Sequence, residues 1–417
     1  LKIAYLTWGE TPRTSGVFGS QAIGQLLANK EAMPDSEFFF ISAVPLIHSG
    51  LLREKKNYSK EIEKIKERLS GVPFFRLSIY APQNFIFSSK KTFELMHLGT
   101  KAKLARLLKR IEPDVVHCRS YHAAYAALKV KEAFGLNFSV VFDPRGIWSE
   151  EVALRKGFVE GGEDYVFLKK VESWILRHAD ATVSVSSQMA AYFESLGATN
   201  STSIYLSAPV EKITKIRSAI NVMPKSGRTT IAYLGTLGNG TWHRTSELIA
   251  LYKHLQKVAS DIELMIITMS NPVEIAADLK AAGVEGVKIT SAASLEELVR
   301  NLASCHLGVL SYFNPETKNE KLLSSVVMAV KTAEYLAAGL PILVNKLCGG
   351  AAGIVEAHAV GIAYDPDTFA EIDGASFRAL LGEEVSERAV SLAGDVFDYR
   401  ANAERYSELY RSVLIKD

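Results

Sequence analysis

The feature that most constrains this chain is a rhythm. Short β-rich apolar runs alternate with amphipathic helical stretches, the alternation breaks once after residue 206, and then it restarts. The first series reads "KIAYLTW", "SEFFFISAV", "EPDVVHCRS", "FSVVFDPRG" and "ADATVSVSS"; the second reads "TTIAYLGTLGNG", "IELMIITMS", "VKITSA", "HLGVLSY", "PILVN" and "VGIAYD". Short apolar strands separated by helices belong to parallel sheets covered on both faces. Two series predict two sheets, and 417 residues are too many for one ordinary core. The fold class is therefore α/β: two Rossmann-like domains facing across a cleft, with ligand expected where both sheets present the C-terminal ends of their strands. The boundaries read as a first domain at 1–206, a linker at 207–228 ("SAPVEKITKIRSAINVMPKSGR", with two prolines and a late glycine), a second domain at 229–395, and a last helix at 396–417 packing back on the first domain.

Composition narrows the function classes. An apolar fraction of 48% and a charged fraction of 23% are those of a globular protein. No apolar run approaches the ~20 residues that span a bilayer, and the N-terminus opens at once into a strand, so neither export nor membrane insertion is expected. Cys118, Cys305 and Cys348 lie far apart, which suits a reducing compartment and a cytoplasmic location. The net charge of +2 hides an asymmetry: residues 53–110 hold 15 Lys/Arg against 5 Asp/Glu. That excess reads either as a solvated face or as a patch for peripheral contact with anionic lipid on the inner face of the plasma membrane. Aromatics do not interleave the basic residues as a nucleic-acid platform requires, so no nucleic-acid partner is expected.

The chemistry concentrates in two stretches. In "KTAEYLAAGLPILVN" (331–345) Glu334 stands among Ala, Tyr and Leu, where an unpaired charge is costly. The helix reads from Val327 to Ala338, with Gly339 as left-handed cap and Pro341 forbidding continuation. Glu334 thus lies about one turn before a helix end at the sheet edge, where a carboxylate can accept hydrogen bonds from vicinal hydroxyls of a ribose. The competing reading is an i,i+3 ion pair with Lys331, worth only tenths of a kcal/mol. The second stretch, "YLGTLGNG", ends a strand at Gly235 and passes Thr236, Gly238 and Gly240 before a helix, leaving backbone N–H groups for phosphate oxygens. No spacing of His, Cys, Asp or Glu makes a metal site, and the Asp-x-Asp of "YDPDT" reads as a turn.

These stretches, with the trailing "GG" and with "SGVFGSQ", "DVVHCRSYHAAYAAL" and "FDPRGIWSEE", resemble GT-B glycosyltransferases of family four in a bacterial branch. The resemblance implies a retaining transfer of a sugar from a nucleotide-diphosphate donor to a lipid-linked or saccharide acceptor, in envelope polysaccharide or glycolipid synthesis, with no cofactor. It places Glu334 on the ribose, Gly235, Thr236 and Gly238 on the diphosphate, and the Ile289 loop on the base. In the first domain it places Gly16 where the loop approaches the sugar diphosphate, His117 beside the transferred sugar, Arg119 on the acceptor, and Arg145 of "DPRG" on phosphate or acceptor.

The sequence departs from the family at two points. A second Glu, eight residues before the ribose Glu, is here Val326, and Thr236 and Thr241 stand where relatives carry the Arg and Lys of the diphosphate loop. A leaving nucleoside diphosphate gains negative charge, so a cation must come from elsewhere. Lys331, Arg145 and Arg244 are the candidates, Lys331 first because it shares a helix face with Glu334. Two rival functions follow: a nucleotide-sugar epimerase of the same fold, and a catalytically weak subunit that binds a nucleotide sugar or glycan.

Overall fold

A computed structural model describes residues 1–14, 16–45, 55–79, 89–220, 227–238 and 243–414. The chain divides into two compact units, Leu1–Tyr205 with Asn402–Asp417, and Leu206–Ala401. Gly240 and Thr241 lie outside the described residues, as do residues 53, 54 and 80–88 of the basic stretch.

The first unit is built on a seven-stranded sheet: β1 (Lys2–Trp8), β2 (Glu37–Pro45), β3 (Phe74–Ile79), β4 (Val115–Arg119), β5 (Ser139–Asp143), β6 (Ala181–Ser184) and β7 (Ser201–Ser203). They lie in the order β3-β2-β1-β4-β5-β6-β7, every pairing parallel. Crossover helices cover the faces, and β1, β4 and β5 are buried almost throughout, which is why they read as apolar runs. The helix Tyr399–Ser412 sends Tyr406, Leu409 and Tyr410 into the core of this unit, against Ile3, Tyr5 and Phe40.

The second unit repeats the plan with β8 (Thr229–Leu234), β9 (Ile262–Ile267), β10 (Lys288–Thr290), β11 (Leu307–Leu310), β12 (Ile342–Asn345) and β13 (Gly361–Tyr364). Their order is β10-β9-β8-β11-β12-β13, again parallel. In each sheet the order reverses beside its first strand, between β1 and β4 and between β8 and β11. A crevice opens at the carboxyl ends of such strands, and ligands of doubly wound sheets bind there.

Two expectations change. The segment read as a linker contains a helix, Val210–Ala219, anchored by buried Val210 and Ile213, and it belongs to the second unit. Of the two prolines that suggested a break, Pro209 sits immediately before the first helical residue, where a missing N–H costs little, and Pro224 lies outside the described residues. The helix expected from Val327 starts at Val330, because Val327 ends a separate helix, Lys318–Val326, that opens with a capping box of Thr317 and Glu320.

Candidate active site

In the second unit the site forms around Gly235. β8 ends at Leu234, whose N–H donates to the Tyr335 hydroxyl at 2.6 Å; Tyr335 is fully buried and also reaches the Val309 carbonyl at 3.2 Å. One tyrosine therefore ties the ends of β8 and β11 together at the switch point. It fits because residue 308 is glycine, where a Cβ would stand 2.5 Å from the Tyr335 ring. The turn that follows is pinned: Gly235 N–H donates to the Ile267 carbonyl at 3.0 Å, the Tyr233 hydroxyl to the Thr236 carbonyl at 2.8 Å, and Leu237 N–H to Ser270 Oγ at 3.1 Å. Gly235 and Gly238 have φ of 122° and 131°, the region that favours glycine. Thr236 is exposed, and its N–H meets no partner among the described residues.

Lys331 points at this turn. Its Nζ would lie 2.6 Å from a Cβ on Gly235 and stands 4.9 Å from the Tyr233 ring centre. Among the described residues it makes no ion pair with Glu334, one turn further along the helix Val330–Ala337. Burial pushes the Lys331 ammonium down to about 7, against an opposing pull from Glu334, and burial likewise pushes the Glu334 carboxyl up while Lys331 opposes it. Two half-buried groups of opposite charge type thus share one helix face with no ion pair between them among the described residues, an arrangement suited to polar partners from a ligand. Gly339 closes this helix at φ 72°, and Leu340 N–H donates back to the Tyr335 carbonyl at 2.9 Å. The "GG" at 349–350 has a packing reason: Cβ atoms there would stand 2.2 Å from the Ser325 carbonyl oxygen and 2.4 Å from that of Val327.

Beside the turn lies a pocket of about 380 Å³, lined by Gly235, Thr236, Thr268, Met269 and the segment Ala292–Leu295 with Leu298. Ile289, the residue expected to face the base, lies in β10 and packs into the core instead; the residues after it line the pocket. Arg244 is exposed just before the helix Thr245–Val258, its guanidinium 5.4 Å from the Phe313 ring centre. The residue before it, His243, escaped the sequence reading: it is buried, stacked on Tyr312 at 4.4 Å, and held neutral first by burial and then by Lys331.

In the first unit, His117 is not at an open strand end. It is fully buried within β4, stacked on Tyr5 at 4.4 Å, with Nδ1 at 2.7 Å from the Tyr410 hydroxyl and Nε2 at 3.3 Å from Asp143. Both nitrogens are occupied by protein, so a direct role on a sugar is replaced by support of Asp143. Arg119 ends β4, buried, its Nε donating to Glu10 at 3.2 Å while Nη1 meets no partner among the described residues. Arg145 follows β5 in the left-handed region, φ 66°, and donates to Asp143 at 3.3 Å and to Gln21 Oε1 at 2.9 Å. Gly16 turns at φ 64° in open space; the close approach belongs to Gly19, at the start of the π-helical stretch Phe18–Gly24, where a Cβ would meet the Thr14 carbonyl oxygen at 2.1 Å. Glu151, in the quoted "FDPRGIWSEE" but not singled out, lies against Gly146, and its Oε1 would stand 2.3 Å from a Cβ there. Burial raises the Glu151 carboxyl to about 7, against Arg155. Only the acidic residue in that stretch could have flagged it, since its burial is tertiary.

Two doubly wound parallel sheets, of seven and six strands, define the fold as GT-B. Residues 61–204 match the model of the glycosyl transferase 4-like domain. Solved structures with the same fold over nearly the whole chain include HepE (Alr3699) from Anabaena in complex with UDP, 14% identical over 99% of this chain and 100% of that one, with a TM-score of 0.63. The lipopolysaccharide outer core galactosyltransferase WaaB is 14% identical over 99% of each chain, with a TM-score of 0.65. A putative UDP-N-acetylglucosamine 2-epimerase from Listeria monocytogenes is 13% identical over 99% of this chain and 96% of that one, with a TM-score of 0.55. No curated protein matches the chain in sequence.

Proposed function

We propose that this chain is a glycosyltransferase that moves a sugar from a nucleotide-diphosphate donor to an acceptor hydroxyl with retention of configuration. The observation that carries the reading is Lys331, held against the Gly235 turn and, among the described residues, without an ion pair to Glu334. A diphosphate on that turn meets the ammonium and the Thr236 N–H; a ribose one helical turn along meets Glu334; the base enters the pocket between Thr236 and Ala292–Leu298. The cation that the diphosphate loop lacks is thereby supplied from the helix Val330–Ala337. In the reaction the bond between the anomeric carbon and the diphosphate oxygen breaks, its electron pair leaves on the diphosphate, and the acceptor oxygen bonds to that carbon from the same face. The acceptor proton passes to a diphosphate oxygen, and Lys331 stabilises the charge that develops. Arg145 is assigned to a phosphate or acceptor group in the first unit.

The acceptor is read as a lipid-linked or envelope saccharide. Leu98 is 72% exposed and Leu95 38% on the segment that also exposes Lys91 and Lys103, a pairing of apolar and basic groups suited to anionic lipid. Among the described residues no helix is long and apolar enough to cross a membrane. Binding to phosphatidylglycerol vesicles that survives Lys91→Glu with Lys103→Glu would remove this support.

A thermal-shift panel of nucleotide sugars tests the donor. A ligand at about 100 times its Kd stabilises by about 2.7 kcal/mol. Donor turnover that disappears in Glu334→Ala supports transfer; an altered nucleotide sugar formed without acceptor identifies an epimerase, and binding with no turnover identifies a non-catalytic subunit.

A further inference from the structure

Six buried or half-buried polar side chains from four elements of the first unit form one connected path. Gln25 Nε2 donates to Asn29 Oδ1 at 2.7 Å, and Asn29 Nδ2 to the Tyr410 hydroxyl at 3.2 Å. Tyr410 meets His117 Nδ1 at 2.7 Å, His117 Nε2 meets Asp143 Oδ2 at 3.3 Å, and Arg145 Nη1 donates to both Asp143 oxygens at 3.3 Å. Burial alone would push the Asp143 carboxyl up, but Arg145, the bond from His117 and Arg119 outweigh it and hold it near 2. The ionised carboxylate can only accept, so His117 carries its proton on Nε2. Burial lowers the affinity of His117 for a second proton, so Nδ1 stays bare and accepts from the Tyr410 hydroxyl, which in turn accepts from Asn29. Every bond in the path thus has a fixed direction.

The path ends at Arg145, whose side chain is 14% exposed against 1% for Asp143 and 0% for His117. Arg145 is held from a second side by Gln21, on a π-helical stretch, Phe18–Gly24, that runs directly into the helix carrying Gln25 and Asn29. A buried polar path of this length is a poor way to stabilise a core, since apolar residues of equal volume do as well. It is a good way to hold one cation in one orientation.

We propose that Tyr410 is a positioning residue: through His117 and Asp143 it fixes the guanidinium of Arg145 for an anionic group of the substrate. This rests on the assignment of Arg145 made above. A helix more than 250 residues further along the chain is thereby part of the site in the first unit.

The test is a double-mutant cycle. Release of UDP from UDP-glucose, or from UDP-galactose or UDP-N-acetylglucosamine where the donor panel selects one of these, is measured for Tyr410→Phe, Arg145→Ala and the double variant. Tyr410→Phe leaves His117 Nδ1 buried without a donor and should lower kcat/KM about tenfold. The double variant should be no slower than Arg145→Ala alone, and losses that multiply would overturn the proposal. A second readout needs no substrate: the ¹⁵N-edited Nε–H signal of Arg145 should move in Tyr410→Phe, and a signal that stays in place refutes the relay. If Arg145→Ala keeps full turnover, the assignment of Arg145 to substrate fails instead, a result the spectroscopic readout separates from failure of the relay. Should Tyr410→Phe not fold, Asn29→Ala removes one donor to the Tyr410 hydroxyl and is expected to shift the same signal.

Discussion

If Lys331 receives the donor diphosphate, donor binding must take up a proton. Burial holds the Lys331 ammonium down to about 7, against its ordinary 10.5. At pH 8 about a tenth of it is then charged. A diphosphate on the Gly235 turn returns its pKa to the ordinary range, so binding of UDP-glucose, which does not itself titrate near neutrality, should draw in about 0.9 proton at pH 8 and about 0.1 at pH 6. Solvent reaches part of Lys331 and screens it, so 0.9 is the ceiling. Linkage fixes the sign: affinity is nearly flat below pH 7 and falls by almost tenfold per pH unit above it, about 1.4 kcal/mol per unit. Isothermal titration calorimetry at pH 8 in two buffers of different ionisation enthalpy reads the proton count directly. Lys331→Met should bind weakly, with no proton uptake and a pH-independent affinity. Wild-type affinity that stays constant from pH 7 to 9, or a Lys331→Met variant with the same pH slope, would refute the placement of Lys331 on the diphosphate.

Gly235→Ala would bring a Cβ to 2.6 Å from Lys331 Nζ at a φ of 122°, so it should lose about 1–3 kcal/mol by thermal denaturation and weaken UDP-glucose binding at the same time. Tyr335→Phe leaves the Leu234 N–H without its 2.6 Å acceptor and should destabilise by about 1–3 kcal/mol in urea unfolding; a loss under 0.5 kcal/mol would mean the tie between β8 and β11 is unimportant. For Glu151 the folded carboxyl, at about 7, lies above its ordinary 4.5, so the native state binds more protons than the unfolded one between those values. Stability from this group is complete below about pH 4.5 and is lost as pH rises through 7, by about 1–3 kcal/mol after screening; Glu151→Gln should abolish that dependence in thermal melts taken from pH 5 to 8.

The periodic features of this fold were legible because one-dimensional patterns cause them. Strands buried on both faces must be apolar along their length, and "KIAYLTW" is β1 to the residue. The Gly339 cap was equally visible, since only glycine takes φ 72° there without strain and Pro341 follows at once. β3 and β7 were not read: β3 is only half-buried, and β7 is "STS", an edge strand with no apolar signal. The helix Val210–Ala219 was hidden by Pro209, a breaker inside a helix and a good neighbour just before one.

The site residues divide along the same physical line. Lys331 and Glu334 share a helix face that spacing alone predicts, and the structure adds that Lys331 turns toward Gly235, a fact set by contacts between β8 and the helix Val330–Ala337, roughly a hundred residues apart. His117 could be seen as a histidine near a strand end, but its partner Tyr410 lies 293 residues on, so nothing local distinguished a ligand from a member of a buried path. Glu151 and His243 depend on burial, which periodicity reports for apolar side chains and not for isolated polar ones. In both units the sequence shows which polar residues stand near strand ends, whereas the direction in which each polar group points is decided by a partner from another layer. Substitutions at those distant partners, Tyr410 and Tyr335 above all, therefore discriminate between readings of the site more sharply than substitutions at the motif residues themselves.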